Sequence, residues 1–243
     1  MFYFASDIHL GAGDRETARR TERRFLQWLT EIEPTAEALF LVGDVFDFWF
    51  EYGRVVPKGS VRVLGRLAEM TDKGIRVVFL TGNHDMWVGS YLREECGMEV
   101  YTAPQCFTLA GRTLFVAHGD NMNIKGQPLL RVMNACFRSR VLRAVVSWLV
   151  HPDLFLRFGQ WWSGSSRKSH GEERDVKFLQ PLVEYADRYA ESHPTVDGFI
   201  FGHMHIPHAL QSARPLWFMG DWQSVPNALM MDGEGNITQQ ILD

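Results

Sequence analysis

Five times in this chain a short apolar run gives way at once to a cluster of Asp, Asn, His and Gly. Phe2–Ala5 leads to Asp7-Ile8-His9, and Leu39–Val42 leads to Gly43-Asp44-Val45-Phe46-Asp47. Val77–Leu80 leads to Gly82-Asn83-His84-Asp85, Leu114–Ala117 to His118-Gly119-Asp120, and Phe199–Phe201 to Gly202-His203-Met204-His205. Unbroken apolar runs of this length are the pattern of strands buried on both faces. Helical stripes lie between them: Phe25, Trp28, Leu29 and Ile32, then Val61, Leu64, Leu67 and Ala68. Alternating strands and helices predict an α/β fold. The loops at the strand carboxyl ends of such a sheet converge on one ligand site, so the five clusters are predicted to meet. From about residue 197 onward the pattern changes. Ala209–Gln211, Leu216–Met219, Ala228–Met231 and Ile237–Ile241 are short strands between turn signals, which predicts an antiparallel section.

The residue types narrow the chemistry. Carboxylates, an amide oxygen and neutral imidazoles are ligands for divalent metals. Alone, Asp-x-His or His-x-His carries little information; the ordered set is far more specific. Five of the nine histidines fall in the clusters, and His151, His170, His193 and His208 need no metal role. Cys96, Cys106 and Cys136 are scattered and odd in number, which excludes a disulfide framework and a Cys-type zinc site. No thiol redox motif is present. The amino terminus has no basic stretch and Asp7 interrupts its apolar run, so no signal peptide is expected and a cytoplasmic location is.

Residues 125–170 stand apart. Lys125 to Lys168 carries eight Arg and Lys against one acid, Asp153, for a net +7 in a chain whose total is −4. The same stretch holds Phe137, Trp148, Phe155, Phe158, Trp161 and Trp162. Pro152 divides it into two expected helices, roughly 128–150 and 153–163. Its longest uncharged apolar run is too short to cross a membrane. The basic residues are local and mixed with apolar bulk, so no nucleic-acid partner is expected. A basic, aromatic helical insert reads either as a packed hairpin with a solvated face, or as a lid or membrane-surface element.

Taken in order, the five clusters resemble the calcineurin-like metallophosphoesterases, over residues 7–205. That resemblance implies a four-layer α/β/β/α sandwich formed by one domain over residues 1–243, with 125–170 as a helical lid. It implies two divalent ions, manganese by preference, with magnesium, iron and zinc also compatible with the ligand types. Asp7, His9 and His205 would hold one ion and Asn83, His118 and His203 the other, with Asp44 shared. His84 would sit over the phosphoryl group, oriented by Asp47, while Asp85 and Asp120 would support the ligands. A two-metal site of this kind activates water for in-line attack on phosphorus.

Within that family the chain is similar to the lipid A pathway pyrophosphatases that cleave UDP-2,3-diacylglucosamine. The likeness lies in chain length, the placement of the insert, and the small-and-basic stretch Ser165–His170. It implies a nucleotide–lipid substrate contacted by Asn83, His84, His203, Ser166, Arg167, Lys168 and His170. It also implies peripheral attachment to the anionic inner face of the cytoplasmic membrane, with no protein partner required. Many members of that group carry Arg where this chain has His84; the leaving group of a pyrophosphate needs little protonation, so either side chain would serve to balance charge. Two other expectations stand beside this one: a two-metal phosphoesterase acting on soluble nucleotides or phosphoproteins, and a non-catalytic scaffold of the same fold.

Overall fold

A computed structural model of the chain describes residues 1–122, 139–169 and 175–242. The apolar runs form the middle of two mixed sheets. The first sheet contains β1 (Phe2–Ala5), β2 (Ala38–Val42), β3 (Arg76–Leu80), β4 (Glu99–Tyr101), β10 (Asn227–Met231) and β11 (Ile237–Ile241), in the order β11-β10-β1-β2-β3-β4. The second contains β5 (Gln105–Leu109), β6 (Arg112–Ala117), β7 (Gly198–His205), β8 (His208–Gln211) and β9 (Pro215–Gly220), in the order β5-β6-β7-β9-β8. β1, β2, β3 and β4 run parallel, as do β6, β7 and β9. These parallel blocks aim the carboxyl ends of β1, β2, β3, β6 and β7 at one edge of the molecule.

Three apolar layers hold the sheets. Phe4, Phe40, Val42, Val78 and Leu80 from the first sheet meet Phe107, Leu114, Val116, Ile200 and Met219 from the second. Outside the first sheet lie α1 (Arg15–Ile32) and α2 (Val61–Asp72). Phe25, Trp28, Leu29 and Ile32 of α1 pack there with Trp222, as the helical stripe requires. Asp14 caps α1 by accepting the Thr17 N–H at 2.8 Å. Outside the second sheet, Leu182, Ala186 and Ala190 of α6 (Gln180–Ser192) cover Phe115, Phe199 and Phe218. The result is the four-layer α/β/β/α order that the resemblance implies.

Three expectations change on contact with the structure. The α2 stripe runs through Val63, Leu64, Leu67 and Met70, and Val61 is exposed, because Ser60 starts the helix and turns its first residue outward. The carboxy-terminal strands do not form one antiparallel section. β8 and β9 pair in the second sheet, and β10 and β11 complete the first. Strands β4 and β5 carry too few apolar residues to stand out in the sequence. The short helix α3 (Tyr91–Glu94) precedes β4.

Of the expected pair of insert helices, α4 (Arg140–Leu149) and α5 (Pro152–Ser169) are described. Residues 125–138 and His170 lie outside the described residues, as do the side chains of Ser166, Arg167 and Lys168. α5 runs past the expected end at residue 163. It docks through Phe155, whose ring packs against Phe48, Phe50 and Trp87 at centroid distances of 5.7, 4.8 and 5.4 Å. Gly159 makes this approach feasible, since a Cβ there would lie 2.3 Å from the Phe48 ring. Arg143 ties α4 to the same loop by donating to the Val88 carbonyl at 3.0 Å. Among the described residues no helix is long and apolar enough to cross a membrane.

Candidate metal centre

The backbone first brings the clusters together. Beyond the strands, the Asp7 N–H donates to Gly43 O at 3.1 Å and the His9 N–H to Asp44 O at 3.0 Å, so the β1 and β2 loops continue side by side. Gly202 N–H donates to His118 O at 3.1 Å and joins β7 to β6 in the same way. A register shift between Phe201 and His205 turns the end of β7 into the site. Asp7, His9, Asp44, His203 and His205 all have left-handed backbones, with φ of 56°, 49°, 53°, 67° and 55°. Among the described non-glycine residues only Ser60 and Ala110 share that region. Backbone strain is thus concentrated where the side chains must converge. Gly82 has a steric reason to be glycine: a Cβ there would meet Asp44 Oδ1 at 2.2 Å.

The side chains form overlapping donor groups. Asp7, His9 and His205 make one, Asp44, His118 and His203 a second, and His9, Asp44 and His84 a third between them, with ligand atoms within 4.8 Å of one another in each. His205 Nε2 lies 3.0 Å and His9 Nε2 3.8 Å from Asp7 Oδ1. His118 Nε2 lies 3.3 Å from Asp44 Oδ2 and 3.3 Å from Asn83 Oδ1. His118 Nδ1–H donates to the Val42 carbonyl at 3.0 Å, which fixes the tautomer and leaves Nε2 facing inward. The seven residues named as ligands by the resemblance are gathered in one place, with Asp7, His9 and His205 in one group, Asp44, His118 and His203 in another, and Asn83 beside His118.

These donors suit divalent ions. Asp7 Oδ1 is fully buried and faces the His205 and His9 imidazoles, an anionic position that a cation would satisfy. Burial pushes the Asp7 carboxyl up, but His205 outweighs it and brings the pKa down to about 2. Burial also opposes charge on Asp44, yet His118 and His84 hold it well below the usual carboxylate range. Burial lowers His9 to about 3, and burial with the neighbouring His118 lowers His203 to about 4. Neutral imidazoles beside ionised carboxylates are the protonation states that metal binding needs. Burial disfavours charge on His118 too, but Asp44 outweighs it and pushes the His118 pKa well above the usual imidazole value, so positive charge is favoured beside Asp44. The His and Asp clusters are consistent with a dinuclear metal site.

The supporting residues are specific. Asp85 accepts the Gly82 and Val45 N–H groups at 2.7 and 2.8 Å and ties the β3 loop to the β2 loop. Burial and the nearby Asp44 push its pKa up to about 7. Asp120 accepts from Asn121 Nδ2 at 2.6 Å and acts electrostatically on His118 and His203. Asp47 reaches His84 by its main chain, the ring Nδ1–H donating to the Asp47 carbonyl at 2.8 Å. The Asp47 carboxylate instead accepts from Ser163 of α5, whose Oγ also lies 3.0 Å from His84 Nδ1.

Sequence reasoning missed Ser6, Asp221 and Ser163. Ser6 Oγ donates to Asp7 Oδ2 at 2.6 Å, and Asp221 Oδ2 lies 3.9 Å from His205 Nδ1. Asp221 had a signal: Trp217–Met219 followed by Gly220-Asp221 repeats the apolar-run-then-Gly-Asp pattern of the other loops. Ser163 had none, because its partners are 79 and 116 residues away. Ser163→Ala removes a donor to the buried Asp47 carboxylate and one restraint on His84. We expect kcat to fall about tenfold, with activity regained in Ser163→Thr. An unchanged kcat would detach α5 from the chemistry.

Comparison with known proteins agrees with this geometry. Residues 1–207 match the family model described as calcineurin-like phosphoesterase. The chain is 33% identical to a UDP-2,3-diacylglucosamine hydrolase of Porphyromonas gingivalis, over 99% of this chain and 97% of that protein. It is 27% identical to the protein of the same name from Nitrosococcus oceani, over 96% and 92%. Among solved structures it resembles a dimetal phosphatase from Danio rerio, with TM-score 0.52 and 11% identity over 99% of this chain and 95% of that one. The last likeness concerns the fold alone.

Proposed function

Since the chain belongs to the calcineurin-like phosphoesterase family, we propose that it hydrolyses the pyrophosphate bond of UDP-2,3-diacylglucosamine, releasing UMP and 2,3-diacylglucosamine 1-phosphate. The observation that carries this reading is the Ser163 contact. It ties the helix bearing exposed Leu154, Phe158 and Trp161 to His84 and Asp47, so a greasy surface and phosphoryl chemistry belong to one site. The names of the relatives support the same substrate.

In this reading Asp7, His9, His205 and Asp44 hold one divalent ion, and Asp44, Asn83, His118 and His203 the other, with manganese preferred. Two such ions supply Lewis acidity and an ionised water at neutral pH. Asn83, His84 and His203 surround the phosphoryl group and balance charge on its outer oxygens. His84 keeps its orientation because Nδ1–H is held by the Asp47 carbonyl and Ser163, leaving Nε2 turned toward Asp44 at 3.8 Å. Asp85 fixes the loop that carries Asn83 and His84. Ser166, Arg167, Lys168 and His170 are assigned to the sugar-phosphate end by their place in the chain. Residues 125–170 serve as the lid, and its exposed apolar side chains (Trp148 is 86% exposed and Trp161 64%) take up acyl chains and touch the anionic cytoplasmic leaflet.

The test is hydrolysis of UDP-2,3-diacylglucosamine in detergent with manganese, beside a soluble UDP-sugar and a chromogenic phosphodiester. Rapid UMP release from the lipid substrate alone is the expected result. Metal-dependent cleavage confined to the small substrates would favour a soluble-nucleotide phosphoesterase.

A further inference from the structure

A second concavity opens beside the metal centre and takes no part in the chemistry described above. It is a groove of about 610 Å³ between the first turns of α1, the corner at residues 57–62 that enters α2, and one face of α5. Arg15 and Arg19 reach it from α1, Lys58 and Arg62 from the corner, and Arg157 from α5. Glu22 pairs with Arg19 and with Arg62, the latter at 3.9 Å. Arg15, Lys58 and Arg157 have no ion-pair partner among the described residues. Three unpaired cations from three separate elements, in a chain with net charge −4, mark a place for phosphate oxygens. A groove of this volume accommodates a ligand of nucleotide size.

The groove is continuous with the site. Leu10 and Asp47 line it, and they adjoin His9 and touch Ser163 respectively. Helix α5 gives the alignment. Asp153, Leu156, Arg157 and Gln160 line the groove, and Ser163, one turn on, meets His84. Arg157 and Ser163 are separated by about 9 Å of helix. Leu154, Phe158 and Trp161, spaced as a different stripe, are exposed apolar side chains, as is Trp162. One helix, anchored at the site through Ser163, thus carries a charged, polar stripe beside an apolar one. A substrate with a nucleotide at one end of its diphosphate and an acylated sugar at the other has halves that suit these two faces. The Phe48 ring, at the groove wall, offers a flat apolar surface for a base.

We infer that this groove is the subsite for the nucleotide half of the substrate, with Arg157, Lys58 and Arg15 drawing in the anionic nucleotide from the groove side while its phosphorus faces the metal centre. The inference rests on the proposed reaction for the identity of the nucleotide. Its test is direct binding: calorimetric titration of the full chain with UMP, and separately with glucosamine 1-phosphate. We expect UMP binding to weaken roughly tenfold or more in Arg157→Gln/Lys58→Gln. Arg23→Gln, a charge change on the exposed side of α1 outside the groove, is expected to leave UMP affinity as it was. Unchanged UMP affinity in the double variant, equal weakening in Arg23→Gln, no UMP binding at millimolar concentration, or loss of glucosamine 1-phosphate binding instead would each overturn the assignment. The two readings fail separately. UMP binding that depends on Arg157 in a chain that does not cleave the lipid substrate keeps the groove and rejects the reaction. Cleavage with UMP affinity indifferent to Arg157 does the reverse.

Discussion

Asp44→Ala is expected to lower turnover by about three orders of magnitude while leaving the fold in place. The magnitude follows from what one carboxylate does here. Its Oδ1 accepts the His84 N–H at 2.8 Å, and its Oδ2 faces His118 Nε2 at 3.3 Å and His84 Nε2 at 3.8 Å. It belongs to two of the three donor groups, so its removal weakens both halves of the centre at once. It also offsets the positive charge that five imidazoles and two cations would gather in a buried space. The companion Asp44→Asn separates the causes. An amide oxygen still accepts from the His84 N–H and preserves the loop, but the charge is gone. Both variants are expected to keep the wild-type circular dichroism spectrum and to lose divalent metal measured by mass spectrometry after purification. Asp44→Asn is expected to recover little activity. If Asp44→Ala keeps more than a few per cent of wild-type turnover, a chemistry built on two metals at this centre is wrong.

How much of this was legible beforehand depends on the separation between residues that act together. The clustered Asp, Asn and His side chains were readable because each sits just past an apolar strand, and parallel strands deliver their carboxyl ends to one edge. The reason for the glycines was not. Gly82 is required by an Asp44 oxygen that is remote in sequence and close only after β2 and β3 pair. The role of Asp47 was half legible. The family resemblance implied that it orients His84, but the contact is made by its carbonyl, while its carboxylate is engaged by α5. The insert was legible in composition and opaque in orientation. Phe155 and Phe158 look equivalent in the sequence, yet Phe155 is packed among Phe48, Phe50 and Trp87 and Phe158 is 43% exposed. A period of 3.6 says which residues share a stripe; it does not say which stripe meets the body.

That distinction sets the second large effect. Trimming the exposed stripe, Trp148→Ser/Phe158→Ser/Trp161→Ser, is expected to lower kcat/KM for the diacylated substrate about 30-fold or more relative to a chromogenic phosphodiester. Fully burying a large apolar side chain is worth about 1.5–3 kcal/mol, and a side chain half covered by an acyl chain about half of that. Three such contacts sum to about 2–4 kcal/mol, enough for a change of that size. The three side chains are 86%, 43% and 64% exposed, so their removal opens no core cavity and stability is expected to stay within about 1 kcal/mol. Phe155→Ser is the contrasting variant. Phe155 anchors α5 against the body, so its loss is expected to loosen Ser163 from His84 and depress both activities together. The pair of variants therefore separates acyl recognition from lid anchoring. Parallel loss on both substrates in the stripe variant would assign the exposed aromatics to positioning α5 and leave the acyl chains without a place on this face.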